Sequence, residues 1–155
     1  MRLKETIDIK ITRSAIDVIE KHKQVTKKAK ESGGILLGQV KGNEVYILKV
    51  TTPNKFDRAA RYFFDCNKDA AQVVINYEFI NSSQKTIYLG EWHTHPENYP
   101  NPSGVDKRMI GKQYFKNKLN EPFLILLIRG LNGLYSAIFD GKTLKETKLT
   151  IIDDK

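Results

Sequence analysis

Apolar and polar positions change period several times along the chain, and each change predicts an element. "TIDIKI", at 6–11, alternates apolar and polar and predicts a first strand. Thr12 suits the N-cap of a helix carrying Ala15, Val18, Ile19, His22 and Val25 or Thr26 on one stripe. His22 lies on that stripe and reads as a partly buried packing residue. "GGILLGQV" and "EVYILKVTTP" predict two strands joined by the turn "KGN", the first apolar enough to be buried on both faces. "NKFDRAARYFFD" shows no clear period and reads as irregular. Asn67 or Asp65 then caps a helix in which Ala70, Val73, Val74, Tyr77 and Ile80 form the apolar stripe. "KTIYLGEWHTH" is a strand, a Pro/Asn-rich loop runs to Ser103, and a helix follows over about 103–120. "FLILLIRG", "LYSAIFDG" and "KLTIID" predict three closing strands. The order β-α-β-β-α-β-α-β-β-β predicts one mixed α/β domain over 1–155, with a main sheet packed by three helices.

Composition narrows the class. With 155 residues, 40% hydrophobic and 28% charged, the chain suits an ordinary soluble domain with one core. Its first residues contain no apolar segment, so no export signal is expected, and "FLILLI" is far too short to span a bilayer. The single cysteine, Cys66, excludes an internal disulfide and a Cys-rich zinc site; a reducing cytoplasm is expected. Cys66 itself reads as a small buried residue ahead of a helix. Lys and Arg number 26 against 18 Asp and Glu, a net charge of +8 that favours acidic partners, whether nucleic acid or protein. The local clusters Lys27, Lys28, Lys30 and Lys112, Lys116, Lys118 are not interleaved with aromatic residues, so solvated helix faces are the simpler reading.

Chemistry concentrates in "GEWHTHPENYPNPSGVD", at 90–106, which holds two of the chain's three histidines. On a strand, residues two apart project to the same side, so His93 and His95 can converge on one ion. Imidazole nitrogen suits zinc, which needs at least one further protein ligand. Asp106 is the natural third. The three prolines of "PENYPNP" stiffen the loop and let it place Ser103 and Asp106, in the first turn of the next helix, beside the strand end. Ser-x-x-Asp is also close to a capping box, and the two readings are compatible. Glu91 shares the histidines' face; it suits a general base, a partner orienting an imidazole, or a carboxylate buried against a lysine or arginine. Trp92 and Thr94 point the other way, Trp92 into the core. Asn98 and Tyr99 are placed to meet substrate. Arg58, Arg61, Tyr62, Phe63 and Phe64 suit either a rim for an extended peptide or a phenylalanine pair buried under a loop. Gly33 and Gly34 suit close backbone approach to the site or a bend into a crowded strand.

Taken together, His93, His95, Ser103 and Asp106 spell H-x-H-x7-S-x2-D. This resembles the signature of the JAMM metalloproteases, the MPN+ or JAB domain family, which also use an upstream glutamate; Glu31 heads "ESGGILLG" in the matching place. The resemblance implies a cytidine-deaminase-like α/β fold and one zinc per chain held by His93, His95 and Asp106 with a water. It implies Glu31 as general base, preferred over Glu91, with Ser103 as donor to the developing oxyanion; Glu91, on the histidines' face, is then read as a partner orienting a ligand imidazole. The family cleaves peptide or isopeptide bonds after the C-terminus of ubiquitin or ubiquitin-like tails. "GEWHTHP" and the short chain look most like small bacterial JAB proteins of antiviral or mobile-element operons. That implies a protein substrate with an extended C-terminal tail, such as a cGAS-like nucleotidyltransferase joined by an E1/E2-like enzyme, and no membrane. Two alternatives stand beside it: a non-catalytic MPN-type scaffold, and a DNA-associated JAB protein suited to the +8 charge. The zinc deaminases need H-x-E together with P-C-x-x-C, and the single cysteine excludes the second motif.

Overall fold

The computed structural model describes residues 7–26 and 28–154, without the side chain of Phe63. Thr6 of the first predicted strand and Lys27 of the basic cluster lie outside the described residues. The elements are β1 (Asp8–Thr12), α1 (Arg13–Glu20), β2 (Gly33–Lys41), β3 (Glu44–Val50), β4 (Arg58–Ala60), β5 (Phe63–Asp65), α2 (Lys68–Asn81), β6 (Ile87–Thr94), α3 (Gly104–Lys116), β7 (Leu124–Arg129), β8 (Leu134–Phe139), β9 (Leu144–Glu146) and β10 (Leu149–Ile152). Eight strands form one mixed sheet in the order β10-β1-β3-β2-β6-β7-β8-β9, with β4 and β5 as a separate hairpin. The three predicted helices and the mixed sheet are present among the described residues.

Two elements were invisible in the pattern. The segment read as irregular contains the hairpin β4–β5, whose strands of three residues are too short to show an alternation. The last predicted strand is preceded by β9, on the opposite edge of the sheet from β10. Only Thr147 and Lys148 separate the two, so residues 146 and 149 lie at most about 11 Å apart. The sheet must therefore curl until its edges approach.

The helix starts follow their caps. Thr12 Oγ1 accepts from Ala15 N at 3.3 Å, and Asn67 Oδ1 accepts from Ala70 N at 2.9 Å. Their faces need two corrections. α1 ends at Glu20, so Val25 (73% exposed) and Thr26 leave the stripe, and the buried side chains are Ala15, Ile16 and Ile19. On α2, Val73, Tyr77 and Ile80 point to solvent, while Ala71, Val74, Ile75, Glu78 and Phe79 turn inward. α2 carries apolar residues on two sides, and periodicity alone cannot choose between them. Glu78 then finds a partner in Lys49 at 3.0 Å.

The sheet is buried on both sides. On one, α1 covers Ile9, Ile11, Ile47, Leu89, Trp92, Ile125 and Leu127. On the other, Ile110 of α3 meets Leu124, Leu126 and Ile128. The alternation along β7 assigns α1 and α3 to opposite faces. No helix among the described residues is long and apolar enough to cross a membrane.

Candidate metal centre

Register places the first pieces. β2 and β6 are antiparallel, with Gly33 opposite His93 and Gly34 opposite Trp92. Pairing continues one step past β2, where Thr94 N donates to Ser32 O at 3.0 Å. The next residue back, Glu31, therefore lies opposite His95, and its Oε2 is 3.9 Å from His95 Nε2. The two glycines belong to this crowding. A Cβ on Gly33 would lie 2.5 Å from the Phe64 ring, and one on Gly34 would lie 2.2 Å from Thr51 O. They admit a tightly packed strand rather than a substrate.

Asp106 arrives from the other side. The Ser103 capping box is complete: Asp106 N donates to Ser103 Oγ at 3.0 Å, and Ser103 N donates to Asp106 Oδ2 at 2.8 Å. The same carboxylate spans both imidazoles, Oδ1 at 3.1 Å from His93 Nε2 and Oδ2 at 2.9 Å from His95 Nε2. The cap thus orients the candidate ligand, so the structural and chemical readings of Ser-x-x-Asp hold together. The imidazole rings lie 5.0 Å apart.

The donor set fits a zinc ion. Ligand atoms of Glu31, His93 and His95 lie within 4.8 Å of one another. His93 Nε2 is buried and has no hydrogen-bond partner, despite its nearness to Asp106. A buried ring nitrogen left in that state is costly unless something else binds it. Two imidazoles and a carboxylate are a ligand set for catalytic zinc, and Glu31 is close enough to act beside it.

Electrostatics follow burial and pairing. Burial pushes the Glu31 carboxyl up to about 8, with Asp106 and Glu97 adding to the rise and His95 opposing it. Burial works against a charged His95, but hydrogen bonds to Asp106 and Glu97 push it up to about 9. Burial also works against the Asp106 anion, yet the close approach of His93 and His95 and the Ser103 backbone N–H hold it well below the usual carboxylate range.

The other candidates divide. Glu91 lines the small pocket beside His93 and Asp106 but hydrogen-bonds to neither: its Oε2 accepts from the Tyr88 hydroxyl at 3.1 Å, and burial raises it to about 7. It forms part of the floor of a cavity of about 360 Å³ between α2 and α3. The carboxylate that meets the outer nitrogen of a ligand imidazole is instead Glu97, whose Oε1 is 2.9 Å from His95 Nδ1. Trp92 is core, 1% exposed, with its indole N–H donating to Thr51 O at 2.9 Å and its ring against His22. Arg61 donates to Thr26 O at 3.0 Å and lies over the Tyr62 ring. Asn98 Oδ1 accepts from Asn132, while Tyr99 is 73% exposed beside the site loop. Phe64 lines a small pocket with His93 and Asp106. Cys66 is half-buried and its thiol is pushed up to about 12 by burial, which leaves it a poor nucleophile.

Gln24 escaped the sequence reading, because "KHKQVTKKAK" looks like a solvated segment. It is 2% exposed and donates to Ala29 O and Arg61 O at 3.1 and 2.9 Å. Its Oε1 accepts from Thr94 Oγ1 at 2.9 Å, and Thr94 Oγ1 accepts from Ser32 N at 2.9 Å. Glu31 N donates to Ala60 O at 2.7 Å. This network ties the Glu31 segment to the histidine strand and to the hairpin.

The fold and this grouping of His, His, Asp and Glu define a JAB-type domain. The family model described as prokaryotic homologs of the JAB domain matches residues 12–139, and the chain belongs to that family. A Pseudomonas aeruginosa protein (strain BWHPSA011 / Pa011) named CD-NTase/cGAS isopeptidase is 32% identical over 130 residues, 84% of this chain and 82% of that protein. A protein of the same name from Vibrio cholerae serotype O1 is 31% identical over 109 residues, covering 70% and 67% of the two chains. Another of that name, from Escherichia coli (strain TW11681), is 31% identical over 110 residues, covering 71% and 69%. The solution structure of protein DSY2949 from Desulfitobacterium hafniense shares the fold, with a TM-score of 0.68 over 94% of each chain at 20% identity.

Proposed function

We propose that the chain is a zinc-dependent isopeptidase that cleaves after the C-terminus of a protein conjugated through its tail. The substrate we infer is a CD-NTase/cGAS-like protein, because the relatives at 31–32% identity carry that name. The observation that carries the hydrolytic reading is one carboxylate, Asp106, bridging two imidazoles while a buried Glu31 lies 3.9 Å from His95. A scaffold has no need of that convergence.

His93 Nε2, His95 Nε2 and the Asp106 carboxylate would hold the zinc. When bound, zinc supplies Lewis acidity toward a scissile carbonyl and toward water. Glu31 takes a proton from the attacking water at its carboxylate and passes it to the leaving nitrogen. The C–N bond then breaks to a carboxylate on the tail and an amine on the acceptor. Burial, which raises Glu31, suits a group that must both accept and return a proton near neutral pH. Ser103 uses its Oγ lone pair for the Asp106 N–H, leaving its own proton free to donate to the carbonyl oxygen. The tail would lie extended against a strand edge, held by main-chain hydrogen bonds. We infer a cytoplasmic location, since a chain with a single cysteine suits a reducing compartment.

The test is incubation with a CD-NTase carrying a peptide fused to its C-terminus. Cleavage at the junction that is lost with chelator and restored by zinc supports the reading. Cleavage indifferent to chelator, or an uncut junction in zinc-loaded protein, overturns it.

A further inference from the structure

The metal centre has a neighbour that the H-x-H-x7-S-x2-D pattern does not include. Glu97 follows His95 by two residues, in the loop that leads to α3. Its Oε1 lies 2.9 Å from His95 Nδ1, the ring nitrogen that faces away from Asp106 and Glu31. The same oxygen accepts from Asn101 N at 3.1 Å, which holds the carboxylate within its own loop.

The backbone of Glu97 is fixed from outside. Residues 130–133 form the turn between β7 and β8. Leu131 N donates to Glu97 O at 2.8 Å, and Asn132 N and Gly133 N both donate to Asn98 O at 2.9 Å. The Asn132 amide donates to Asn98 Oδ1 at 2.9 Å. Gly130 permits this approach: a Cβ there would lie 2.5 Å from Glu97 O. His95 N meanwhile donates to Arg129 O at 3.0 Å, so ring and carboxylate are anchored to the same β7–β8 unit.

We propose that Glu97, held by the β7–β8 turn, is the positioning residue that fixes the tautomer and ring orientation of His95. A neutral imidazole has one N–H. An acceptor at Nδ1 keeps that hydrogen there and leaves the Nε2 lone pair directed at the ion. A carboxylate in this place also raises the ligand's basicity, and loss of such partners commonly weakens metal binding about 10- to 100-fold. Glu97 touches neither substrate nor ion in this role. His93 has no equivalent partner among the hydrogen bonds of the described residues, so the two imidazoles are held differently. The inference rests on zinc being the bound ion.

The experiment measures zinc affinity by competition with a chromophoric chelator for the wild type, E97A, E97Q and H93A. It adds the thermal midpoint of each metal-free protein and the ring-nitrogen NMR shifts of His95 in the zinc-loaded forms. E97A is expected to bind zinc about 10- to 100-fold more weakly. E97Q, which retains an acceptor oxygen, should recover part of that loss. The wild type should show a protonated Nδ1 and a ligated Nε2, and the metal-free midpoints of wild type, E97A and E97Q should agree, since Glu97 is half-exposed. E97A affinity within twofold of wild type, or a loss matched by a lowered metal-free midpoint, overturns the role of Glu97 alone. Equal failure of the wild type and H93A to take up zinc overturns the metal reading as well.

Discussion

Two hollows on the α3 side of the sheet each contain an acidic side chain, and they differ in what surrounds it. The larger, about 360 Å³ between α2 and α3, has Glu91 in its floor with the Tyr88 hydroxyl as its donor. The smaller lies against His93, Asp106 and Phe64; Glu91 stands in the wall shared by the two hollows, and Glu31 lies close to His93 and His95. Burial raises both carboxyls, Glu31 to about 8 and Glu91 to about 7. Size and a raised carboxyl therefore do not separate the two. Convergence does: Glu31 faces two imidazoles from the end of β6 and an aspartate from α3, whereas the hydrogen-bond partner of Glu91 is a tyrosine from its own strand. A perturbed carboxyl marks desolvation; only its neighbours turn it toward chemistry.

The comparison can be broken at either end. The largest effect is expected from Asp106→Ala, which removes a ligand and the carboxylate that spans both histidines. Zinc content by elemental analysis should fall from about one per chain to near zero, and cleavage with it. Stoichiometric zinc in D106A would mean the ion is held elsewhere.

Glu31→Gln comes next. It should keep its zinc and lose about 100- to 10,000-fold in turnover, while Glu91→Gln stays within a few-fold of wild type. Equal losses in both would erase the distinction between the two hollows.

pH separates them again. In the metal-free protein His95 is pushed up to about 9, so an ion must displace its proton. Zinc affinity should rise about tenfold per pH unit between 7 and 9, measured by chelator competition. A flat profile would show that His95 carries no proton to displace. Stability of the metal-free fold moves the opposite way. Glu91 is raised from 4.5 to about 7, so its protonated form is favoured by folding, and stability falls as pH rises through that window. E91Q should remove a loss on the order of 3 kcal/mol at most, read from urea midpoints at pH 4.5 and 7.5.

Smaller effects concern helix starts and faces. Ser103→Ala removes the N-cap and should cost about 1 kcal/mol in metal-free stability. Tyr77→Ser, on the solvent face of α2, should change stability by less than about 0.5 kcal/mol. Phe79→Ala, on its inward face, should cost clearly more. The reverse ranking would restore the apolar stripe that periodicity suggested.

Much of the site could be read before any fold was known. His93 and His95 alternate on a strand, so their shared side follows from backbone geometry alone. Ser103 and Asp106 announce a helix start, and Thr12 and Asn67 do the same for the other helices. Glu31 entered only through resemblance, since nothing local ties it to a histidine 62 positions later. Glu97 and Gln24 left no local signal: one sits in a loop and the other in a lysine-rich stretch. The inward face of α2 was also illegible, because both of its sides carry apolar residues.

Local covalent geometry and short-range hydrogen bonding settled where strands alternate, where helices begin, and which side chains share a face. Those properties depend on neighbours a few positions away and survive in a linear string. Pairing of β2 with β6, which sets Glu31 opposite His95, depends on contacts distant along the chain. So do the turn that holds Glu97 and the burial that raises Glu31 and Glu91. Desolvation and long-range register exist only once the sheet has closed, and there the carboxylates acquired different work.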